Sequence, residues 1–166
     1  MGMTFFVALE DVPTCTHQQK KVRVNRGIPI FYEPEKLKKT RALLMERLDE
    51  HKPDEPMHGP LRLVVTWCFK KKGKHVDGEY KTTKPDVDNM LKLLQDCMTR
   101  LGYWDDDRFV VSLISEKYWA DVPGIYIEIK EMNQDGLESI LCRSGKVDAG
   151  KQRHGTSMRR SERELF

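Results

Sequence analysis

Asp86, Asp88, Asp105, Asp106 and Asp107 are the residues of this chain best suited to chemistry. They lie at the two ends of one segment, DVDNMLKLLQDCMTRLGYWDDD, which opens on two carboxylates one residue apart and closes on three aspartates. Short, stiff carboxylates are the oxygen ligands that a hard divalent cation prefers. From Pro85 to Asp107 six Asp, counting Asp96, face only Lys92 and Arg100, a local net of −4 in a protein whose total is +3. An acidic island in a basic chain is the charge plan of an enzyme that grips a polyanion such as DNA and cuts it with Mg2+.

The local elements decide whether these carboxylates can meet. Pro85 biases Lys84 toward an extended conformation, so the chain enters the motif straight. Met90, Leu91, Leu94, Cys97, Met98 and Leu101 recur at helical spacing, and Gly102 suits the end of that helix. Asp86 or Asp88 can cap its first turn, where the helix dipole favours a carboxylate. Lys92 lies one turn after Asp88 on the same face, in position to point an ammonium at a metal or a phosphate. Reach is the difficulty. Asn89 to Leu101 as helix covers about 20 Å, and Tyr103 to Asp107 fully extended recovers only about 17 Å. Asp107 therefore joins the first pair only if the chain doubles back along the helix, or if it serves a second subunit; the spacing leaves both open. It also leaves room for a plainer account, with Asp-x-Asp-Asn as a cap, the triplet as a solvated turn, and Asp96 as a surface partner of Lys92. An EF-hand is excluded, because neither its glycine nor its terminal glutamate falls at the required offset after Asp86.

The run KPDVDNMLKLLQDCMTRLGYWDDDRFVVSL resembles the signature of the RusA-type Holliday junction resolvases. The features that carry the resemblance are Asp86, Asp88 and Asn89, then Lys92 one turn on, then Gly102, Tyr103 and Trp104, and finally Asp106 and Asp107 before Val110 and Val111. The similarity reaches upstream through PTCTHQQKKVRV, FYEPEKLKKTRALLMERL and GPLRLVVTWCF, and downstream to SEKYW and PGIYIEI. It covers residues 3 to 131, and the tail after Met132 has no counterpart. The resemblance implies a Mg2+-dependent homodimeric endonuclease, with Mn2+ as a substitute metal. Such an enzyme resolves four-way DNA junctions by paired symmetric cuts in recombination and repair, often in phages and prophages. Carried over position by position, Asp86, Asp88 and Asp107 are the essential metal-holding carboxylates, Lys92 is the catalytic lysine, and Asp106 is a further candidate ligand. Asp105 is a departure that turns the usual pair into a triplet; the gapless count from Gly102 favours Asp106 and Asp107.

The remainder of the chain reads as a support for that motif. At 166 residues one domain is expected: a resolvase-like domain over 1–131 and a basic, partly disordered tail over 132–166. The coarse order is strand, basic loop, helix, strand, helix, strand, strand, tail. Strands are expected at Thr4–Leu9, Leu61–Phe69, Phe109–Ile114 and Ile125–Ile129. A helix over Glu35–Glu50 carries Leu37, Leu44, Met45 and Leu48 on one face and stops at KPDEP. This is an α/β protein in the broad sense (mixed α+β), a single domain with a roughly four-stranded mixed sheet packed with two helices. No apolar run approaches the roughly 20 residues of a membrane span and no signal-peptide pattern opens the chain, so a cytoplasmic protein is expected. Cys15, Cys68, Cys97 and Cys142 are scattered without metal-ligand spacing, and Cys68 and Cys97 read as small core residues. His17 and His75 lie in basic stretches and read as solvated loop positions.

Basic residues flank the acidic centre. Cys15 to Arg47 carries nine Lys or Arg against three Glu, and Phe69 to Lys84 carries six Lys against Asp77 and Glu79. Any one lysine is more often solvated than bound, but two clusters around an acidic centre suit phosphate neutralisation. Lys20, Lys21, Arg23, Lys70, Lys71, Lys72, Lys74 and Lys84 are the DNA-binding candidates. The loop from Lys70 to Lys84, with Gly73 and Gly78, is expected to be mobile until DNA orders it. The tail has a Lys/Arg excess of +4 from Leu141 onward, which suits an arm adding nonspecific DNA affinity. Two other classes fit the same residues: a Mg2+-dependent nuclease for flaps or other branched DNA, and a noncatalytic junction-binding or Ca2+-binding module.

Overall fold

The strand Leu61–Lys70 (β4) sets the architecture through its alternation. Leu61, Leu63, Val65, Trp67 and Phe69 are buried, while Arg62, Val64, Thr66 and Cys68 between them are half-buried. Such a strand has one packed face, and it is flanked on both sides. Val110–Ala120 (β5) runs parallel to it, from Arg62 opposite Ser112 to Lys70 opposite Ala120. Gly124–Glu131 (β6) runs antiparallel on the other side, from Leu61 opposite Glu131 to Cys68 opposite Gly124. Gly2–Ala8 (β1) pairs antiparallel with the outer side of β6, giving the order β1-β6-β4-β5. Lys21–Asn25 (β2) and Ile28–Tyr32 (β3) form a separate two-stranded antiparallel ribbon. The computed structural model describes residues 2–14, 21–25, 28–32 and 34–132, with the backbone alone for 21–25 and 28–32. Of two compact units, Met1–Gln134 holds all of these, and Asp135–Phe166, most of the expected basic tail, lies outside the described residues.

Two helices cover the packed face of the sheet. Glu35–Asp49 (α1) buries Leu37, Thr40, Leu44 and Leu48. Val87–Arg100 (α2) buries Met90, Leu91, Leu93, Leu94, Cys97 and Met98. Those apolar side chains share one cluster with the odd-numbered residues of β4 and with Ile125, Ile127 and Ile129 of β6. Full burial of each large apolar side chain contributes roughly 1.5–3 kcal/mol. Parallel strands need a crossover, and α2 supplies it between β4 and β5, so the helix runs opposite to both. It ends as its sequence predicts. Gly102 has φ +80°, its N–H donates to the Thr99 carbonyl, and the Tyr103 N–H donates to the Met98 carbonyl. That pair of bonds is a Schellman closure, which glycine enters without a Cβ penalty.

Tyr103 and Trp104 then lock the return of the chain. Both are fully buried. The Tyr103 hydroxyl donates to the Leu48 carbonyl of α1 at 2.7 Å, and Trp104 Nε1 donates to Thr99 Oγ1 at 2.7 Å. Burial, aided by Asp49, pushes the Tyr103 phenol far above its ordinary range. Gly124 is required for another reason: a Cβ there would lie 2.4 Å from the Val7 carbonyl oxygen and 2.5 Å from the Phe6 ring.

Two expectations change in detail. The stretch read as a basic loop contains β2 and β3, whose β-branched and aromatic residues are the available signal. β5 runs six residues past Ile114, through Ser115–Ala120, because Lys117 and Trp119 lie on its helix-side face with Ser115. β1, β4, β6 and α1 fall within two residues of their expected limits. Tyr103→Phe should cost about 1 kcal/mol in urea unfolding, since Leu48 O keeps the Glu50 and His51 amides as donors. Trp104→Ala should cost about 3–5 kcal/mol by the same measurement; a loss under 1 kcal/mol would mean that the turn after α2 is held by other side chains.

Candidate active site

The N-terminal end of α2 presents two carboxylates and one ammonium. Asp86 occupies the cap position in extended conformation (φ −76°, ψ 144°), yet its side chain accepts no capping bond. Asp88 lies in the first turn and Lys92 one turn further, and all three residues are exposed. Among the described residues no hydrogen bond or ion pair engages Asp86, Asp88 or Lys92. The capping explanation of Asp86 is thereby removed, and its oxygens are available for a ligand. Two exposed carboxylates with free oxygens suit a hard cation such as Mg2+ as part of its coordination shell.

The aspartate triplet divides into three different roles. Asp106 accepts a bond from the Arg108 amide at 2.9 Å and so caps the 3-10 turn Asp107–Phe109. The Asp105 carboxylate is 3.5 Å from His58 Nδ1 on the exposed surface. Asp107 is exposed and, among the described residues, its side chain has no partner.

Strand register separates Asp107 from the first pair. Lys117 Nζ donates to the Pro85 carbonyl at 2.7 Å, which ties the start of α2 to the far half of β5. Asp107 is bonded through its carbonyl to the Val110 amide at the near end of the same strand. Val110 to Lys117 spans roughly 23 Å of strand, and α2 itself is about 21 Å long. Asp107 and the Asp86–Asp88 pair thus sit at opposite ends of α2, roughly 20 Å apart by that helix length. The chain turns back only after Asp107, as β5, so doubling back along the helix does not unite them. Among the described residues no three His, Cys, Asp or Glu side chains converge on a possible metal position. Within one chain, Asp86, Asp88 and Lys92 come together and Asp107 does not join them.

Beside this end of α2 lies a cavity of about 760 Å³ with a cationic rim. Lys70, Lys72 and Lys84 line it as DNA-binding candidates, together with Lys36 and Lys39 of α1 and with Lys81. Asp11 and Glu35 are the acids in the lining, and Val12, Leu43, Phe69 and Trp119 are its apolar part. Lys36 and Lys39 are legible in the sequence as an i, i+3 pair on the expected helix. Lys71 is engaged elsewhere, 2.6 Å from Asp121, a bond that raises its ammonium above the ordinary lysine range. Lys74 is exposed and outside the lining. Lys20 lies outside the described residues, and Lys21 and Arg23 fall on β2, where the backbone alone is described.

The expected mobile loop is tethered along β5. Gly78 N donates to Trp119 O at 2.9 Å, Trp119 N to Glu79 O at 2.8 Å, and Lys81 N to Lys117 O at 2.9 Å. His75, expected to be a solvated loop residue, stacks on Trp119 at 4.5 Å and bonds Glu79 at 2.9 Å. That imidazole, with the Val76 amide, holds the Glu79 carboxyl below the usual range. Lys81 is the one buried charge of the loop, at 6% exposure. Burial, then Lys117 and Lys72, lowers its ammonium below the ordinary range.

Free carboxylates and an ammonium at a crossover helix, next to a lysine-lined recess, are the equipment of a metal-assisted nuclease. Comparison with known proteins agrees with that class. Residues 11–130 match the model of the family described as endodeoxyribonuclease RusA. Over 134 residues, 80% of this chain and 100% of the relative, the sequence is 36% identical to a protein of Lactococcus phage r1t named crossover junction endodeoxyribonuclease rusA. A Bacillus subtilis (strain 168) protein, the uncharacterized YqaN, is 30% identical over 121 residues, 66% of this chain and 84% of its own. The chain belongs to the RusA endodeoxyribonuclease family.

The division of roles in the triplet is open to a stability measurement. Asp106→Ala should cost about 1 kcal/mol by loss of its cap. Asp107→Ala and Asp86→Ala should each stay within about 0.5 kcal/mol of the parent in the same denaturant titration. A larger loss at Asp86 would return that residue to a capping role.

Proposed function

We propose that this protein is a Mg2+-dependent, structure-specific endonuclease that resolves four-way DNA junctions by paired symmetric phosphodiester cleavage in recombination and repair. The observation that carries the reading is the unengaged Asp86–Asp88 pair with Lys92, beside a lysine-rimmed cavity, in a member of this family. The name of the phage relative, crossover junction endodeoxyribonuclease, supports the same substrate. Work on DNA suits the cytoplasm, and none of the described helices is long and apolar enough to cross a membrane.

Asp86, Asp88 and Asp107 would hold the metal, with Asp106 contributing less because its carboxylate already caps a turn. Bound there, Mg2+ or Mn2+ would supply a Lewis acid for the scissile phosphate and a water of lowered pKa. Lys92 offsets negative charge on the phosphoryl oxygens in the transition state, a preorganised contribution that needs no reorganisation. Lys70, Lys72 and Lys84 hold flanking phosphates and carry affinity rather than chemistry. The roughly 20 Å along α2 between Asp107 and the Asp86–Asp88 pair favours a site shared between two subunits, Asp107 arriving from the partner. A two-fold dimer with two such sites matches the symmetry of a junction that must be cut twice.

Incubation with labelled four-way, flap and linear DNA in Mg2+, Ca2+ or EDTA tests the substrate. Preferential cutting of flaps would replace junction resolution with another branched-DNA nuclease, and binding without cutting in any metal would leave a noncatalytic module. Asp88→Asn should abolish junction cleavage while binding stays equal or tightens, because a negative charge next to DNA is removed. Mixing Asp88→Asn with Asp107→Asn subunits should regenerate one intact site per heterodimer and produce nicked junctions. A mixture as inactive as either parent would place all the ligands in one subunit.

Affinity should separate from chemistry in the salt dependence. Lys70→Ala with Lys72→Ala should reduce the slope of log affinity against log salt by about 0.9 for each phosphate no longer neutralised. Lys71→Ala, whose ammonium is held by Asp121, should leave it nearly unchanged. Equal slopes for the double variant and the parent would show that the cavity rim does not touch phosphate.

A further inference from the structure

The three residues that lead into Asp86 are gripped by two ammonium groups. Lys81 Nζ donates to the Thr83 carbonyl at 3.0 Å, to the Lys84 carbonyl at 2.6 Å and to Thr83 Oγ1. Lys117 Nζ donates to the Thr83 carbonyl at 2.8 Å and to the Pro85 carbonyl at 2.7 Å. The three consecutive carbonyls of Thr83, Lys84 and Pro85 therefore each meet a lysine. Lys81 is itself fixed from behind, 4.9 Å from the Phe69 ring centre and 4.8 Å from that of Trp119. Its amide is also bonded to Lys117 O, so the two lysines are joined through β5.

Carbonyls just ahead of a helix have no ladder of their own to complete, and a part-buried one left unpaired costs free energy. Two charge-assisted donors supply what the segment lacks and fix its path rigidly. Near-complete burial is expensive for an ammonium, so solubility does not account for Lys81. The three donors of its ammonium are matched by three oxygens of Thr83 and Lys84. The shared target of the two lysines is the backbone immediately before the two carboxylates.

We infer that Lys81 and Lys117 are positioning residues, a pair of cationic clamps that hold the Thr83–Pro85 backbone so that Asp86 and Asp88 present their oxygens to one cation. This rests on the metal-dependent reading above. The sign of the effect separates it from simple electrostatics. A lysine acting only as a nearby positive charge opposes cation binding, and its removal should tighten the metal. Removal of a clamp should weaken the metal, as loss of an outer support for a ligand does, by about 10–100-fold.

The test is Mn2+ binding to the full-length protein without DNA, followed by electron paramagnetic resonance, alongside the Mg2+ dependence of junction cleavage and the melting temperature. Lys117→Met should weaken Mn2+ binding by about 10–100-fold and raise the half-saturating Mg2+ in parallel, with junction affinity unchanged. Lys117→Arg, which keeps charge and two donors, should recover most of the loss. If Lys117→Met does not fold, the order of Mn2+ affinity among parent, Lys117→Arg and Lys117→Gln decides, since Gln is uncharged and shorter than lysine. Binding in Lys117→Gln as tight as in Lys117→Arg would overturn the clamp, and so would unchanged or tighter binding in a folded Lys117→Met. A parent protein that binds no Mn2+ would instead sink the metal reading itself.

Discussion

The parallel pairing of β4 with β5 is the constraint from which the arrangement of acidic groups follows. Two parallel neighbours cannot be joined by a turn, so the chain must travel back the length of the sheet before β5 begins. α2 makes that journey, and its buried Leu, Met and Cys side chains fix it to the sheet. The carboxylates at its start and those after its end are consequently a helix length apart. An antiparallel β5 would have needed no such crossover, and the two acidic groups would have had no fixed separation.

Lysine serves two distinct physical purposes within a few residues of the same helix. Lys70, Lys72 and Lys84 are exposed at the rim of a cavity, where an ammonium retains its hydration until a polyanion replaces it. Lys81 and Lys117 are turned toward backbone carbonyls and act on protein. The difference lies in what surrounds each residue, because the side chains are identical. Composition alone counts all of them as basic surface, and the fold divides them.

The elements nearest the site are the most legible in the sequence. The apolar spacing of α2, its closure at Gly102 and the family pattern around Asp86 all describe short-range physics, which a linear reading captures. Asp106 and Asp107 stand out as a pair, but their separate engagement depends on the 3-10 turn that the Arg108 amide completes. The second half of β5 escapes such a reading because Ser115, Glu116 and Lys117 interrupt its apolar run. Its partners are carbonyls more than thirty positions away in sequence, and no local pattern encodes them. β2 is hidden by the charges interleaved with Val22 and Val24, and β3 by Pro29, which argues against a strand. The separation of Asp107 from Asp86 is visible in the sequence as a problem of reach, and only the direction of β5 resolves it.

Among the described residues β5 is the last strand of its sheet, and a bare outer strand is a template on which other chains can add. Gly78–Lys81 occupies the C-terminal half of that template, with Tyr80 against Tyr118 at 4.6 Å between ring centres. The N-terminal half, which includes Val111 and Leu113, has exposed apolar side chains. Extension of the sheet by a foreign strand is therefore blocked along one half by the protein's own lysine-rich segment. Changes that loosen this segment would also bare a longer hydrogen-bonding edge, so colloidal behaviour in concentrated solution is coupled to the same stretch that rims the cavity.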